Sequence, residues 1–415
     1  MTAWTVVQPA ATPEMTHLAT ALARHGSLET YISSTPFTRD SIWASKIVQG
    51  VTPKLSRRLL PSPITREMVV SSGTLTEFAF KALHGKPYLR TQQLQLMHKR
   101  AKDVHRRAQA VLSHRGDGTG RGIVVQAGRG WRTLELARSK GYQTVLNTSI
   151  VHRRFMADEI RREIERYPDW ADGMLEYIRP EVELDELDRE LEIAHVVLAQ
   201  SRFQAKVLRE YGVDPGKIQV IPLGVDEAFH QAQTSKMVRN KKDGNLRIGW
   251  LGQVTQRKGF VDLLSALGND FQSRGYTLVV AGVVEGNVVN RLRAVGAELC
   301  GPIAHSEVTG WLQGVDILVS PSLLEGFSLA PVEAMAAGVP VLVSDRLYVS
   351  DLITTGHNGW LVEARNCVDL RERLEHIRKL SSEDLGAVGR AGAELVASLR
   401  WDTYEARIAD LLCQC

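Results

Sequence analysis

The sequence predicts an α/β protein built as two doubly wound, Rossmann-like domains facing across a cleft. Three observations predict it. Short apolar, β-branched runs alternate with helical stretches along most of the chain, the pattern of parallel sheets covered on both faces. The chain has 415 residues, more than one ordinary domain holds. A polar, weakly periodic stretch, "EAFHQAQTSKMVRNKKDGN" at 227–245, separates two such series and reads as a linker. Residues 1–226 are therefore expected to form the first domain and residues 240–395 the second.

The first series opens with a strand (WTVVQP), a helix (PEMTHLATALARHG) that ends at Gly26, and a strand (LETYISS). "REMVVSS" and "GIVVQAG" are further strands, and "TQQLQLMHKRAKDVHRRAQAVLSHR" is a long basic helix. The glycines of "RGDGTGRG", 115–122, invite a phosphate-loop reading, but such a loop follows a strand and opens a helix. This one ends a helix and precedes a strand, so it is read as a flexible connection. "TVLNTSIVHRRF" is a strand with His152 just past its end. Two highly charged helical stretches follow. "HVVLAQSRFQAKVLREYGVDPGKIQVIPLGVD" then gives a strand, a helix from Ser201 to Tyr211, a turn and a strand.

The second series has strands in "LRIGWLG", "TLVVAG", "DILVSPS" and "VPVLVS", with helices in "DLLSALGNDF" and "EVTGWLQG". In doubly wound sheets ligands sit at the carboxyl ends of strands, which here places them in the cleft between the domains.

Composition narrows the class. A hydrophobic fraction of 44% with 24% charged residues is that of a soluble globular chain. No apolar run approaches the roughly 20 residues of a membrane helix, and the N-terminus lacks the pattern of a signal peptide. Cys300, Cys367, Cys413 and Cys415 have no metal spacing, which is reduced, cytosolic usage. The net charge of +4 hides an asymmetry: residues 1–150 hold 21 Lys and Arg against 8 Asp and Glu. That basic half is either a solvated face or faces an anionic acceptor or a membrane surface. The basic, partly amphipathic helix over 92–112 favours peripheral membrane contact over nucleic acid, for which no recognition motif is present.

Two segments carry candidate chemistry. In "SPSLLEGFSLAPVEAMAAGVPVLVSD", 320–345, Glu325 falls in the loop at a strand's carboxyl end, and Gly326 and Ser328 keep that loop small. Pro331 suits the first position of the next helix, Glu333 then falls in its first turn, and Gly338 ends it. The exposed N–H groups of that helix start favour a phosphate. Taken alone, the two carboxylates fit an acid/base pair, a sugar-binding pair, or a simple dipole effect for Glu333. A capping box would need Ala330 as its acceptor, and no Asp-x-Asp or His partner supports a metal. In "LGQVTQRKGF", Gly252 ends a strand, and Arg257 and Lys258 stand before a helix, an arrangement that suits a diphosphate or a plain basic turn.

The segment "PSLLEGFSLAPVEAMAAGVPVLVSD" resembles the Glu-x7-Glu signature of glycosyltransferase family 4, retaining enzymes of GT-B fold. "GQVTQRKG", "SRFQAKVLREYGVDPGKIQVIPLGVD" and "TTGHNGWLVEA" also resemble that family's recurrent segments, so the likeness covers about residues 190–365. The resemblance implies that Glu325 binds hydroxyls of the transferred sugar and Glu333 the nucleotide ribose. It implies that Gly326, Phe327, Ser328 and Leu329 meet sugar and phosphate through their backbone. Lys258 matches the lysine on the diphosphate, Ile303 a position whose backbone meets the base, and His152 a histidine near the reacting sugar. Gln253 stands where the family has arginine, with Arg257 as the candidate substitute. The family's glycine-rich loop after the first strand is absent, since "QPAATPEM" stands there.

The function this implies is metal-independent, retaining transfer of a sugar from a nucleoside-diphosphate sugar to an acceptor hydroxyl, with no cofactor. The acceptor is a carbohydrate, a lipid or another small molecule. The last helix, residues 396–415, is expected to cross back to the first domain, as in the family. The expected location is the cytoplasm, with peripheral contact at the inner face of a membrane. Alternatives are an epimerase or phosphorylase of the same fold, or a degenerate protein that binds sugar nucleotides without turnover. Acceptor-dependent release of nucleoside diphosphate separates the transferase from the first. Use of free phosphate marks a phosphorylase.

Overall fold

A computed structural model describes residues 2–34, 38, 60–72, 90–232, 244–284 and 288–413. They form two sheets. The first contains β1 (Ala3–Gln8), β2 (Leu28–Ser33), β3 (Val69–Ser71), β4 (Arg121–Gln126), β5 (Gln143–Asn147), β6 (Val196–Ala199) and β7 (Ile218–Val220), in the order β3-β2-β1-β4-β5-β6-β7. The second contains β8 (Leu246–Leu251), β9 (Tyr276–Ala281), β10 (Glu298–Gly301), β11 (Ile317–Ser320), β12 (Val341–Ser344) and β13 (Trp360–Val362), in the order β10-β9-β8-β11-β12-β13. Every strand pairing within them is parallel. The order reverses between β1 and β4 and again between β8 and β11, the positions where doubly wound sheets open a ligand crevice.

The helices of the first half are α1 (Pro13–Arg24), α2 (Arg90–His114), α3 (Trp131–Ser139), α4 (Arg153–Arg166), α5 (Glu181–Ile193) and α6 (Arg202–Glu210). After α7 (Glu227–Ala232) come α8 (Phe260–Leu267), α9 (Val288–Ala294), α10 (His305–Gln313), α11 (Leu329–Ala336), α12 (Cys367–Lys379), α13 (Ser382–Leu395) and α14 (Trp401–Cys413). Strand β1 shows why its sequence is continuously apolar. Trp4 and Val6 join one core cluster, with Met15, Leu18 and Leu22 of α1. Val7 faces the other way and joins Val104, Ala108 and Leu112 of α2.

Several expectations are corrected. The segment 115–122 is pinned, because Gly118 N–H donates to the Lys140 carbonyl (2.7 Å) and Arg121 N–H to the Gly118 carbonyl (2.8 Å). The stretch read as linker opens with helix α7, and its residues 233–243 lie outside the described residues. Helix α11 begins at Leu329, so Pro331 takes its third position and Glu333 its second turn. Proline is still tolerated there, since the first four N–H groups of a helix have no partner in the helix. Strands β10 and β13 carry no strand signal in the sequence, being short strands at the two sheet edges.

Among the described residues the halves meet at several places. Val225 bridges to Arg400, with Val225 N–H donating to the Leu399 carbonyl (3.0 Å), so the two chain crossings lie side by side. Helix α14 packs on α1: Tyr404 Oη donates to the Glu14 carbonyl (3.2 Å), and Trp4 Nε1 donates to the Leu412 carbonyl (3.1 Å). Buried carboxylates of α4 reach the second half. Glu163 takes hydrogen bonds from Gln256 (2.6 Å) and Arg365 (2.5 Å), and Glu159 pairs with Arg365 (2.8 Å) and Arg346. Among the described residues no helix is long and apolar enough to cross a membrane.

Candidate functional site

The loop after β11 is built around Arg257, which sits in the turn that follows β8. Arg257 is buried; its Nη1 donates to the Leu324 carbonyl (2.7 Å) and to Glu325 Oε1 (3.0 Å), and its own carbonyl accepts from Leu323 N–H (3.0 Å). Its guanidinium also lies 5.3 Å from the centre of the Tyr177 ring. Lys258 Nζ donates to the same Glu325 oxygen at 2.8 Å. Burial pushes the Glu325 carboxyl up, but the two adjacent cations hold it below its ordinary value, so it stays ionised. Gly259 closes this turn at φ +76°, and a side chain there would meet the Pro321 carbonyl oxygen at 2.0 Å. The β8 and β11 loops are thus locked to each other through backbone contact.

A cleft of ≈ 520 Å³ lies between the halves. Of the residues singled out in the sequence, Gly252, Gln253, Lys258 and Ile303 line it, with Glu325, Phe327, Ser328, Leu329 and Glu333 from the β11 loop and α11. Glu14, Ser149, Gln200 and Leu223 line it from the first half. Phe327 is buried and stacks on Tyr348, 4.5 Å between ring centres, so it anchors the loop. Ser328 holds φ +66°, a costly conformation for a residue with a side chain, at the N-terminal boundary of α11.

Three singled-out residues fall elsewhere. Arg257 is behind Glu325 rather than on the cleft wall. Gly326 packs against the first half, where an added Cβ would come 2.5 Å from the Ser149 carbonyl oxygen. His152 caps α4, accepting from Arg154 N–H through Nδ1 (3.2 Å), stacks on Tyr211 at 4.6 Å, and has Nε2 3.3 Å from Asp188. It lines a second cavity, which meets the cleft at Ser149. Burial, partly offset by Asp188, lowers its pKa and favours the neutral ring.

Glu333 has a setting unlike that of Glu325. Burial pushes its carboxyl up to about 7, with His305 opposing and Asp226 adding to the shift. His305 Nδ1 lies 3.9 Å from Glu333, and its Nε2 lies 3.0 Å from Asp226, whose other oxygen accepts from Trp401 Nε1 (2.8 Å). A chain of polar groups thus runs from the cleft to the two crossings. His305 and Asp226 were not singled out from the sequence. The only signal was the position of Asp226 at the foreseen domain boundary. Among the described residues no three His, Cys, Asp or Glu side chains cluster as metal ligands.

Chemically, the cleft offers a cation and a helix N-terminus for an anion. It also offers one ionised carboxylate (Glu325) and one that ionises near neutrality (Glu333), both able to accept from hydroxyls.

Residues 245–379 match the family model described as glycosyl transferases group 1. The D-inositol 3-phosphate glycosyltransferase of Pseudarthrobacter chlorophenolicus is 28% identical over 196 residues, 44% of this chain and 47% of that protein. The lipopolysaccharide core biosynthesis mannosyltransferase LpsB of Rhizobium meliloti is 32% identical over 128 residues, 26% and 34% of the two chains. The chain spans about half the length, or less, of these curated relatives. Among solved structures, sucrose-phosphate synthase from Thermosynechococcus elongatus superposes with a TM-score of 0.65 at 17% identity, covering 100% of this chain and 99% of that one. Anabaena HepE, in complex with UDP and glucose, superposes with a TM-score of 0.60 at 13% identity over 100% of both chains. The chain has the GT-B fold, two Rossmann-like parallel-sheet domains, and its residues 245–379 are similar to the glycosyl transferases group 1 family.

Proposed function

We propose that the protein is a retaining glycosyltransferase, independent of metal and cofactor, which moves a hexosyl group from a nucleoside-diphosphate sugar to an acceptor hydroxyl. One observation carries this reading. Glu325 sits in the loop after β11, held by Lys258 and Arg257, and Glu333, eight residues on, faces the same cleft. The family match over this half and the relatives named as glycosyltransferases support it.

The diphosphate lies against Lys258 and the start of α11, with Gly252, Gln253 and the backbone of Phe327 to Leu329 around it. The base meets the backbone of Ile303, and Glu333 accepts from the ribose hydroxyls. Glu325 accepts from hydroxyls of the sugar and lies beside the carbon that becomes electron-poor. In the transfer step the bond from the anomeric carbon to the phosphate oxygen breaks, and its electron pair leaves with the diphosphate. The acceptor oxygen bonds to the same face of that carbon and gives its proton to the departing phosphate. Lys258 and the helix N-terminus stabilise the charge that builds there, with no metal. Glu325 orients and stabilises rather than attacks, since Arg257 and Lys258 already hold its carboxylate. His152 acts from the acceptor side.

The reading places the protein in the cytoplasm, with the basic first half at the inner face of a membrane. Mixing it with UDP-, GDP- and ADP-sugars and an acceptor panel tests the activity. Acceptor-dependent release of nucleoside diphosphate, with the anomeric configuration kept in the product by NMR, is the expected result. Release without acceptor, inversion, or full activity in Lys258→Ala overturns the reading.

A further inference from the structure

The second cavity, ≈ 320 Å³, opens beyond the carboxyl ends of β1, β4 and β5. Four arginines and four acids line it, and their pairing is uneven. Glu183 is taken by Arg129 (2.8 Å). Asp188 is taken by Arg154 and lies beside His152. Glu190 is buried and accepts from the N–H groups of Gly128 (2.8 Å) and Gly130, which fills the anion-binding turn after β4. Burial pushes its carboxyl up to about 7, and Glu186, the fourth acid, adds to that shift.

Arg153 and Arg179 are left without a carboxylate at ion-pair distance among the described residues. Among the described residues the Arg179 side chain hydrogen-bonds only the Nε2 of His98, at 3.3 Å, and the Nδ1 of the same ring lies 3.3 Å from Arg129. A neutral imidazole accepts through one nitrogen alone, so His98 cannot satisfy both guanidiniums. The Arg153 side chain makes no hydrogen bond to a described residue, and burial and the nearby Arg179, partly offset by Glu190, push its pKa down to about 10. The two guanidiniums thus share one wall, and Glu190, beyond ion-pair distance, only partly offsets the effect of Arg179 on Arg153. The start of α4 lines the same wall and adds its positive end.

We propose that this cavity binds a phosphoryl group through Arg153 and Arg179. Taking the bearer of that group to be the acceptor rests on the transferase reading, since the cavity meets the donor cleft at Ser149. Guanidinium pairs grip phosphate through parallel hydrogen bonds, and a cavity of this size holds a phosphorylated sugar or a phospholipid headgroup.

Calorimetric titration of inorganic phosphate into the protein saturated with the nucleoside diphosphate it binds tests the site. Wild type is expected to show a further site that Arg153→Gln and Arg179→Gln each weaken by about ten-fold or more. Nucleotide affinity in both variants stays within about two-fold of wild type, since neither side chain lines the donor cleft; this also reports their folding. Glucose 6-phosphate against glucose reads a soluble source. Sedimentation with phosphatidylcholine vesicles, with and without phosphatidylinositol, reads a lipid one. Binding in either arm that both substitutions weaken supports the site. Equal phosphate binding in wild type and variants, or none in wild type, overturns it. If no nucleotide binds, the transferase reading fails, and the same titration without nucleotide still decides the anion site.

Discussion

Glu325 and Glu333 share a residue type and a cleft but hold different charge states. Two cations keep Glu325 ionised, whereas burial keeps Glu333 protonated up to about pH 7. Ionised Glu333 accepts more strongly from a ribose diol than its protonated form does. Nucleotide affinity is therefore expected to rise as pH goes from about 6 to about 8, and Glu333→Gln is expected to flatten that profile in a titration at each pH. Glu325→Gln keeps the shape but loses the charge facing the sugar. It is expected to lower kcat by about 100-fold or more with little change in nucleotide binding, measured as product formation against affinity. The placement of Glu325 and Lys258 on the cleft was legible from their positions after strand ends, and that of Glu333 from the helix that follows. The inward role of Arg257 was not, because a sequence shows that a cation stands in a loop but not which carbonyls it meets. His305 was missed for the same reason: its partners, Asp226 and Glu333, are far from it in the chain.

At the scale of elements, most of the strand and helix rhythm could be read, because strands buried on both faces are continuously apolar. The edge strands β10 and β13, and the true start of α11, could not. The first two depend on a neighbouring strand, and the last on the backbone conformation of Ser328. The turn after β8 depends on Gly259. Gly259→Ala is expected to destabilise the second half by more than about 1 kcal/mol, from the left-handed φ and the contact with Pro321, read as a lower melting temperature. Helix α4 is held by carboxylates that the sequence showed only as a charged run. Arg365→Ala leaves Glu159 and Glu163 short of a partner in a buried setting, and is expected to cost roughly 3 kcal/mol in urea denaturation. Burial pushes the Glu159 carboxyl up, but Arg346 and Arg365 bring it below its ordinary 4.5. Its contribution to stability is therefore full above that value and lost as pH falls through the folded one. Glu159→Gln is expected to make the denaturation midpoint less sensitive to pH in the acid range.

Across the whole molecule, the switch point of the second sheet opens on the cleft and that of the first on the adjoining cavity, and the chain crosses between the sheets at neighbouring positions, Val225 and Arg400. The polar chain from Glu333 through His305 and Asp226 to Trp401 ends at those crossings, so the Glu333 side of the cleft is tied to the join between the halves. Under the proposed function this cleft receives a nucleoside-diphosphate sugar by its diphosphate. Calorimetric titration of UDP-, GDP- and ADP-sugars into wild type and Lys258→Ala tests it most directly. Saturable binding of one nucleotide class to wild type is expected, with a loss of about ten-fold or more in the variant. No binding by wild type, or the same affinity in both, contradicts it.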